Sequence, residues 1–298
     1  MSAFLAPNPY AARTSFHAAL IEYYKAKHDQ NSDVSEMARA RAACYRKYEI
    51  PDEDIGRLEL SLVFVSTTNA PPTLFWNLVF IYSDPAITAA IRNELLGIVD
   101  NNQERTKEGK RRISIDLTKF DNHTLLLVSS YRETLPLANS QLGTRRAIEN
   151  TVISAEGKSY LLRKGSDIQM PAEVTHNSPD IWGSNASSFD ARRFIKTNDN
   201  NMTEIEKEQK RAYFPFGGGK HLCPGRQFAF AEILGVLYVL LLGFEVKGMD
   251  GKSIQVPYLG KAKLGEAVAK PRGKGAEMGA KITRREGWEV VWSFTASE

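Results

Sequence analysis

The residues with most chemical potential in this chain lie between Phe214 and Glu232, in the order Phe-Pro-Phe-Gly-Gly-Gly-Lys-His-Leu-Cys-Pro-Gly-Arg-Gln-Phe-Ala-Phe-Ala-Glu. Three consecutive glycines cost backbone entropy on folding, and a chain keeps them where it needs tight turns or close approach to something flat or large. Cys223 stands at the apex, with Lys220, His221 and Arg226 around it and an apolar helical pattern directly behind. Cationic neighbours and a helix N-terminus favour a thiolate over a thiol. A thiolate so placed is a nucleophile or an iron ligand. The plainer alternative, a small buried hydrophobe, fits any lone cysteine.

The same stretch resembles the haem-ligand loop of the cytochromes P450, Phe-x-x-Gly-x-His/Arg-x-Cys-x-Gly. Phe216, Gly219, His221, Cys223 and Gly225 stand in that frame, and Ala229 and Glu232 continue into a helix as in the family. The resemblance implies a mainly α fold with small β-sheets, N-terminally incomplete, and haem b bound through Cys223 as proximal thiolate and metal ligand. Phe216 would pack beside the sulfur, and Gly217 and Gly219 would let the loop lie under the porphyrin. His221 would meet a propionate, Gly225 and Ala229 would allow close approach, and His176, from His-Asn-Ser-Pro, would make a second haem-side contact. Thiolate ligation pushes electron density onto iron, and the surrounding shell tunes its potential.

The chemistry needs a wall on the opposite face. Leu60 to Ser83 is free of charged residues for 24 positions, long enough to span a membrane. Ser61, Ser66, Thr67, Thr68, Asn69 and the pair Pro71-Pro72 are expensive in lipid, and they predict a helix buried in protein from 60 to 83, over a pocket. Here the chain resembles the prostacyclin synthase and sterol 7-hydroxylase subgroup, which carries Asn-x-x-Pro followed by Phe-Trp; Asn69, Pro72, Phe75 and Trp76 match. The family's acid–Thr pair, which relays protons to oxygen, is reduced to Thr73 without the acid, so Asn69 with nearby hydroxyls or water is the expected substitute. The alternative role for Asn69 is to satisfy backbone groups freed by the prolines.

Leu125 to Leu137 resembles the family helix with Glu-x-x-Arg. Glu133 is present, but Pro136 holds the arginine's place and is expected to end the helix. Arg193 matches the later arginine and can meet Glu133, with Arg132 as a possible adjusting neighbour. A buried charge less than fully paired costs several kcal/mol, so Pro136 counts as a local defect.

The remaining elements support this frame. Phe16, Leu20, Tyr23 and Tyr24 predict one helix, and Val34 to Tyr48 a second with Ser32 or Asp33 as its cap. Cys44 reads as an inert core residue. Asp84-Pro85 starts a helix with Ile87, Ile91, Leu95 and Ile98 inside and Arg92 and Glu94 outside. Asp100 to Arg112 reads as a solvated loop and Glu204 to Arg211 as a solvent-facing charge run. Gly143 to Ile153 and Tyr160 to Leu162 predict strands around a hairpin, with Ile168 to Pro171 as another edge; Arg145 or Arg146 is a candidate propionate partner. Phe228 to Phe244 is the apolar helix behind the loop. Lys270 to Gly275 belongs to a Gly/Lys-rich hairpin region, and Val290 to Phe294 is a terminal strand.

The organisation expected is one partial domain over 1–298. Its parts are a helical region 1–137 with the central helix at 55–83, a small-sheet and connecting region 138–203, the ligand loop and its helix at 204–245, and hairpins at 246–298. A net charge of +4 is a weak nucleic-acid signal, and two cysteines exclude a disulfide scaffold. Residues 1–10 lack the basic and apolar regions of a signal peptide or anchor, so this chain carries no membrane segment. With only 222 residues before Cys223, it matches the C-terminal part of the family.

The function implied by the resemblance is monooxygenation of a bulky lipophilic substrate, a sterol or terpenoid, with electrons from NADPH through NADPH-cytochrome P450 reductase. The implied location is the endoplasmic reticulum surface at full length, and cytoplasmic for the chain as given. The rivals are a haem-dependent isomerase, a truncated non-catalytic remnant, and a redox thiol protein. The chain alone is expected to be weakly stable and catalytically poor.

Overall fold

The computed structural model describes residues 6–99, 105–155, 157–195, 203–260, 267–271 and 279–295. Contacts divide the chain into two compact units, 1–68 and 69–298.

In the first unit, α1 (Pro7–Lys25) and α2 (Glu36–Lys47) precede α3 (Asp52–Ser83), within which the division falls. The cap of α2 is Ser35, whose Oγ accepts from the Ala38 N–H, in place of Ser32 or Asp33. Tyr24, Ala42 and Ile55 form a small core, whereas Phe16 is exposed. The N-terminal turn of α3 carries Asp52, Glu53 and Asp54, favourable for the helix dipole. The Arg46 guanidinium binds both Asp29 and Asp52; it holds the Asp29 carboxyl below the usual range, while Lys27, with Arg46 second, does so for Asp52. Cys44, expected in the core, is exposed on α2: the buried position of that turn is Ala42, and Cys44 falls two residues off its face.

The second unit is built on α10 (Arg226–Gly243). Before it come α4 (Pro85–Ile98), β1 (Arg112–Asp116), α5 (Phe120–His123) and α6 (Leu125–Ala138). There follow β2 (Leu142–Arg146), β3 (Thr151–Ala155), β4 (Lys158–Leu162), β5 (Asp167–Pro171), α7 (Ala172–His176), α8 (Pro179–Trp182) and α9 (Glu204–Ala212). After α10 come β6 (Phe244–Gly248), β7 (Ala280–Arg284) and β8 (Val291–Thr295). The strands make four two-stranded ladders: β1 with β8 in parallel, and β2–β5, β3–β4 and β6–β7 antiparallel.

Ile233, Leu234, Leu237, Tyr238, Leu241 and Leu242 of α10 are buried with Ile91 and Leu95 of α4, Ile113 and Ile115 of β1, and Leu127 and Tyr131 of α6. Each such aliphatic side chain gains about 1.5–3 kcal/mol on full burial, so this cluster dominates the stability of the unit. Gly235 and Gly243 let β8 lie against the helix, since a Cβ at either would come within 3.1 Å of Phe294 or Trp292. Length and composition alone would let Arg226–Gly243 cross a membrane; here it is the core helix.

Four sequence expectations change. Arg92 and Glu94 do not face outward: Arg92 donates to the carbonyls of Leu241 and Phe244, and the Glu94 carboxylate accepts the first free N–H groups of α6, at Leu126 and Leu127. A helix start without a side-chain cap of its own thus gains one from the neighbouring helix. Residues 112–116, at the end of the expected loop, form β1, whose partner lies almost 180 residues away. The helix expected to be buried from 60 to 83 is buried chiefly from Ala70 onward, while Leu58, Val63, Phe64 and Val65 are exposed. Lastly, Pro136 does not end α6, which runs on to Ala138. Parts of the expected segments 100–112 and 270–275 lie outside the described residues.

Candidate functional site: the Cys223 loop

Backbone bonds close the Cys223 loop on itself. The Cys223 N–H donates to the Phe216 carbonyl at 3.0 Å, Gly217 N–H to Phe214 at 3.0 Å, and Leu222 N–H to Gly219 at 3.2 Å. Gly217 and Gly219 have φ of 73° and 61°, a region that penalises side chains. A Cβ on Gly218 or Gly219 would meet nothing within 4 Å, so this face of the loop is open to a flat group. Phe216 packs against the main core, and Gly225, at the start of α10, would place a Cβ 3.8 Å from Cys223 Sγ. Arg226 donates to the Cys223 carbonyl at 3.2 Å. Lys220 and His221 are exposed, and Ala229 is half-buried one turn into α10.

The donor set fits a haem iron. Cys223 is a free thiol, half-buried beside a helix N-terminus. Among the described residues no group of three or more His, Cys, Asp or Glu could hold a bare metal ion. A metal at Cys223 therefore has to bring its other ligands with it, as in a porphyrin bound by one thiolate.

His176 does not reach outward from α7. It is buried, its Nε2 accepts the Phe214 N–H at 3.2 Å, and its ring lies against Phe214 and Tyr213. That bond ties it to the backbone of the loop's entry. That bond puts the ring proton on Nδ1, which is buried without a partner. Burial pushes the imidazole down to about 4.

Asn69 and Thr73 occupy one turn of α3, and the Thr73 hydroxyl donates to the Asn69 carbonyl at 2.9 Å. They do not belong to the Cys223 loop itself. A strap at residues 267–269 leads from α3 to the end of α6: Trp76 Nε1 donates to the Ala269 carbonyl, Ala269 N–H to Ala138, and Ser140 N–H to Ala267.

Glu133 is fully paired despite Pro136. Arg193 Nε lies 2.9 and 3.0 Å from its two oxygens, and Asp190 N–H donates to it at 3.1 Å. The rest of the Arg193 guanidinium is spent on the carbonyls of Trp182, Asn185 and Ser188 and on Asn185 Oδ1. Burial pushes the Glu133 carboxyl up, with Arg193 pulling it back. Arg132 takes no part and pairs with Asp121. The expected deficit of charge pairing is thus absent, because one arginine does the work through six acceptor oxygens. Of the candidate strand arginines, Arg146 pairs across the ladder with Asp167, and Arg145 reaches the Gly218 carbonyl of the loop at 3.4 Å.

Three contributors escaped the sequence reading. Tyr131 presents its ring edge-on to Phe230 and holds a buried hydroxyl without a partner. Asn139 donates from Nδ2 to the Pro215 carbonyl at 2.8 Å, and Tyr213 Oη donates to the Arg132 carbonyl at 3.0 Å. The signal for the last was Pro136, since a helical proline leaves the carbonyl four residues earlier without its donor.

Comparison with known proteins gives the chain's family. The family model described as Cytochrome P450 matches residues 10–272. A "Cytochrome P450 monooxygenase" of Gibberella zeae is 34% identical over 292 residues, 96% of this chain and 54% of its own length. The "25-hydroxycholesterol 7-alpha-hydroxylase" of Rattus norvegicus is 29% identical over 224 residues, 74% of this chain and 53% of its own. A crystal structure of a cytochrome P450 (CYP102L1) superposes with a TM-score of 0.67 at 19% identity, covering 93% of this chain and 56% of that one. The chain spans about half the length of the curated relatives it matches, and it belongs to the cytochrome P450 family.

Proposed function

We propose that the protein is a haem-thiolate monooxygenase that inserts one oxygen atom from O₂ into a bulky lipophilic substrate. The observation that carries this is the Cys223 loop: one half-buried thiol at a helix start, on a frame closed by the Cys223–Phe216 bond and open on its glycine face. When bound, a thiolate-ligated haem supplies the activation of O₂ by two electrons and two protons.

The chain's own residues bind and orient. In this reading Cys223 ligates iron, Phe216 shields the sulfur from water, and Gly217, Gly219, Gly225 and Ala229 admit the macrocycle. His221 would meet a propionate from the exposed side of the loop, and His176, bonded to the Phe214 N–H, would be the second haem-side contact. On α3, Thr73 Oγ holds a proton that is donated to the Asn69 carbonyl in the resting arrangement; rotation about its Cα–Cβ bond aims that proton elsewhere. Asn69, half-buried, supplies the neighbouring amide. The sterol named for the rat relative makes sterols and terpenoids the first substrates to test. Electrons from NADPH through a flavoprotein reductase, and a place at the endoplasmic reticulum surface, belong to the same proposal.

Pro72 standing where the family's acid would precede Thr73 supports a second reading, haem-dependent isomerisation, in which no proton relay to oxygen is needed. Incubation with haem, NADPH, a reductase and a sterol and terpenoid panel under isotopically heavy O₂ separates the two. Product carrying one heavy oxygen supports monooxygenation. Product formed equally well without O₂ and NADPH supports isomerisation and overturns it.

A further inference from the structure

Three consecutive residues at the entry of the Cys223 loop are held from three directions. Tyr213 Oη donates to the Arg132 carbonyl at 3.0 Å, Phe214 N–H donates to His176 Nε2 at 3.2 Å, and the Pro215 carbonyl accepts from Asn139 Nδ2 at 2.8 Å. Two of these bonds end on the second half of α6, at Arg132, and on its C-cap, Asn139. In an uninterrupted α-helix the Arg132 carbonyl would be taken by the N–H of residue 136, and proline has none. Pro136 therefore leaves a half-buried acceptor free, and the Tyr213 hydroxyl fills it; burial keeps this phenol protonated, pushing it well above its ordinary range. Asn139 is oriented without ambiguity: its Oδ1 accepts the Gln141 N–H at 2.7 Å, so its amide nitrogen must face Pro215. Asn139 is also tied on its main chain, donating to the Leu135 carbonyl and bridging to Val268.

We propose that Pro136 and Asn139 are positioning residues for Cys223. Pro136 acts by releasing the Arg132 carbonyl to Tyr213, and Asn139 by gripping Pro215, so that the end of α6 sets where the loop begins. The next residues carry that setting to the sulfur: Gly217 N–H closes onto Phe214, and Cys223 N–H onto Phe216. The proline at the position where the family resemblance calls for arginine is then a keyed part of the site and not a defect. The proposal rests on the reading of this loop as the thiolate segment.

Amide hydrogen exchange tests the clamp in the protein without added haem. Tyr213→Phe and Asn139→Asp each remove one donor and little volume, and Asn139→Asp keeps the acceptor for Gln141. Each is expected to speed exchange at Phe214, Gly217 and Cys223 about tenfold, the factor that corresponds to 1.4 kcal/mol, with Ile113 and Ile115 of β1 unchanged. Asn139→Ser, neutral and too short to reach Pro215, should act like Asn139→Asp. In a Pro136→Ala background the restored N–H satisfies Arg132, and the effect of Tyr213→Phe should shrink to less than about twofold. After haem loading, both single variants should shift the reduced carbon monoxide complex from the thiolate-type toward the thiol-type spectrum. Unchanged exchange in the variants, or an equal Tyr213→Phe effect with and without Pro136, overturns the clamp. A wild-type protein without any thiolate-type spectrum instead overturns the reading on which it rests, whatever the exchange data show.

Discussion

Both helices that carry the expected chemistry contain proline, and they handle it in opposite ways. In α6, Pro136 lies in a buried last turn, and the carbonyl it frees is met by a side chain from a segment 81 residues further on. In α3, Pro71 and Pro72 leave the carbonyls of Thr67 and Thr68 without an N–H donor, on an exposed to half-buried stretch, while the hydroxyls of the same threonines bond one turn back at Val63 and Phe64. The partner of the freed carbonyl in α6 fixes a neighbouring loop; in α3 the freed carbonyls lie on a stretch open to water, and the threonine bonds fix only the helix itself. A proline in a helix therefore says little about stability until the partner of the orphaned carbonyl is known.

If α6 owes its rigidity to tertiary wiring, cutting the densest node should have the largest effect. Arg193→Ala leaves Glu133 buried and unpaired and frees three carbonyls, and should cost about 3–5 kcal/mol by urea unfolding. A loss below 1 kcal/mol would mean that the wiring around Arg193 is ornamental. The buried half of α3 is next. Trp76→Ala removes a fully buried ring and its bond to Ala269, and should cost about 3–5 kcal/mol; a value near zero would detach α3 from the strap at 267–269.

The His176 anchor predicts a pH dependence. Its folded value of about 4 lies below the ordinary 6.5, so between these limits the unfolded chain binds a proton that the folded chain refuses. The stabilisation is complete above pH 6.5 and is lost as pH falls toward 4, by up to about 3 kcal/mol. His176→Gln, which retains an acceptor for Phe214, should remove this component of the pH slope. A slope unchanged by that substitution would show that His176 titrates normally. The smallest effect belongs to the exposed half of α3: Phe64→Ala should change stability by no more than about 0.5 kcal/mol, and a loss like that of Trp76→Ala would show Phe64 to be covered.

The sequence carried the loop and the apolar helix behind it because both are local: a fixed frame of glycines around Cys223, then a run whose hydrophobicity leaves little choice but burial. The Asp84-Pro85 helix start and the hairpin at 151–162 were legible for the same reason. Illegible were features made by partners distant in sequence. Nothing near Ile113 announces that its strand pairs with Val291–Thr295. Glu94, polar on an amphipathic pattern, reads as solvent-facing until α6 is seen to need a cap. His176 stands out by type and position, but its bond to Phe214, on another segment, has no sign in the sequence. Pro136 read as a loss of charge because the pattern shows a missing arginine and cannot show Tyr213. Burial along α3 is shorter than the uncharged run suggests, since such a run is compatible with either face arrangement, and residues 61–67 are exposed or half-buried.

The central claim is that Cys223 holds a haem iron as thiolate, and one spectroscopic comparison reaches it most directly. The protein is loaded with haem, reduced and exposed to carbon monoxide, beside Cys223→Ala and, as a control for the exposed thiol, Cys44→Ala. The account predicts a thiolate-type spectrum in the wild type and in Cys44→Ala and its disappearance in Cys223→Ala. A thiolate-type spectrum that survives Cys223→Ala would contradict it.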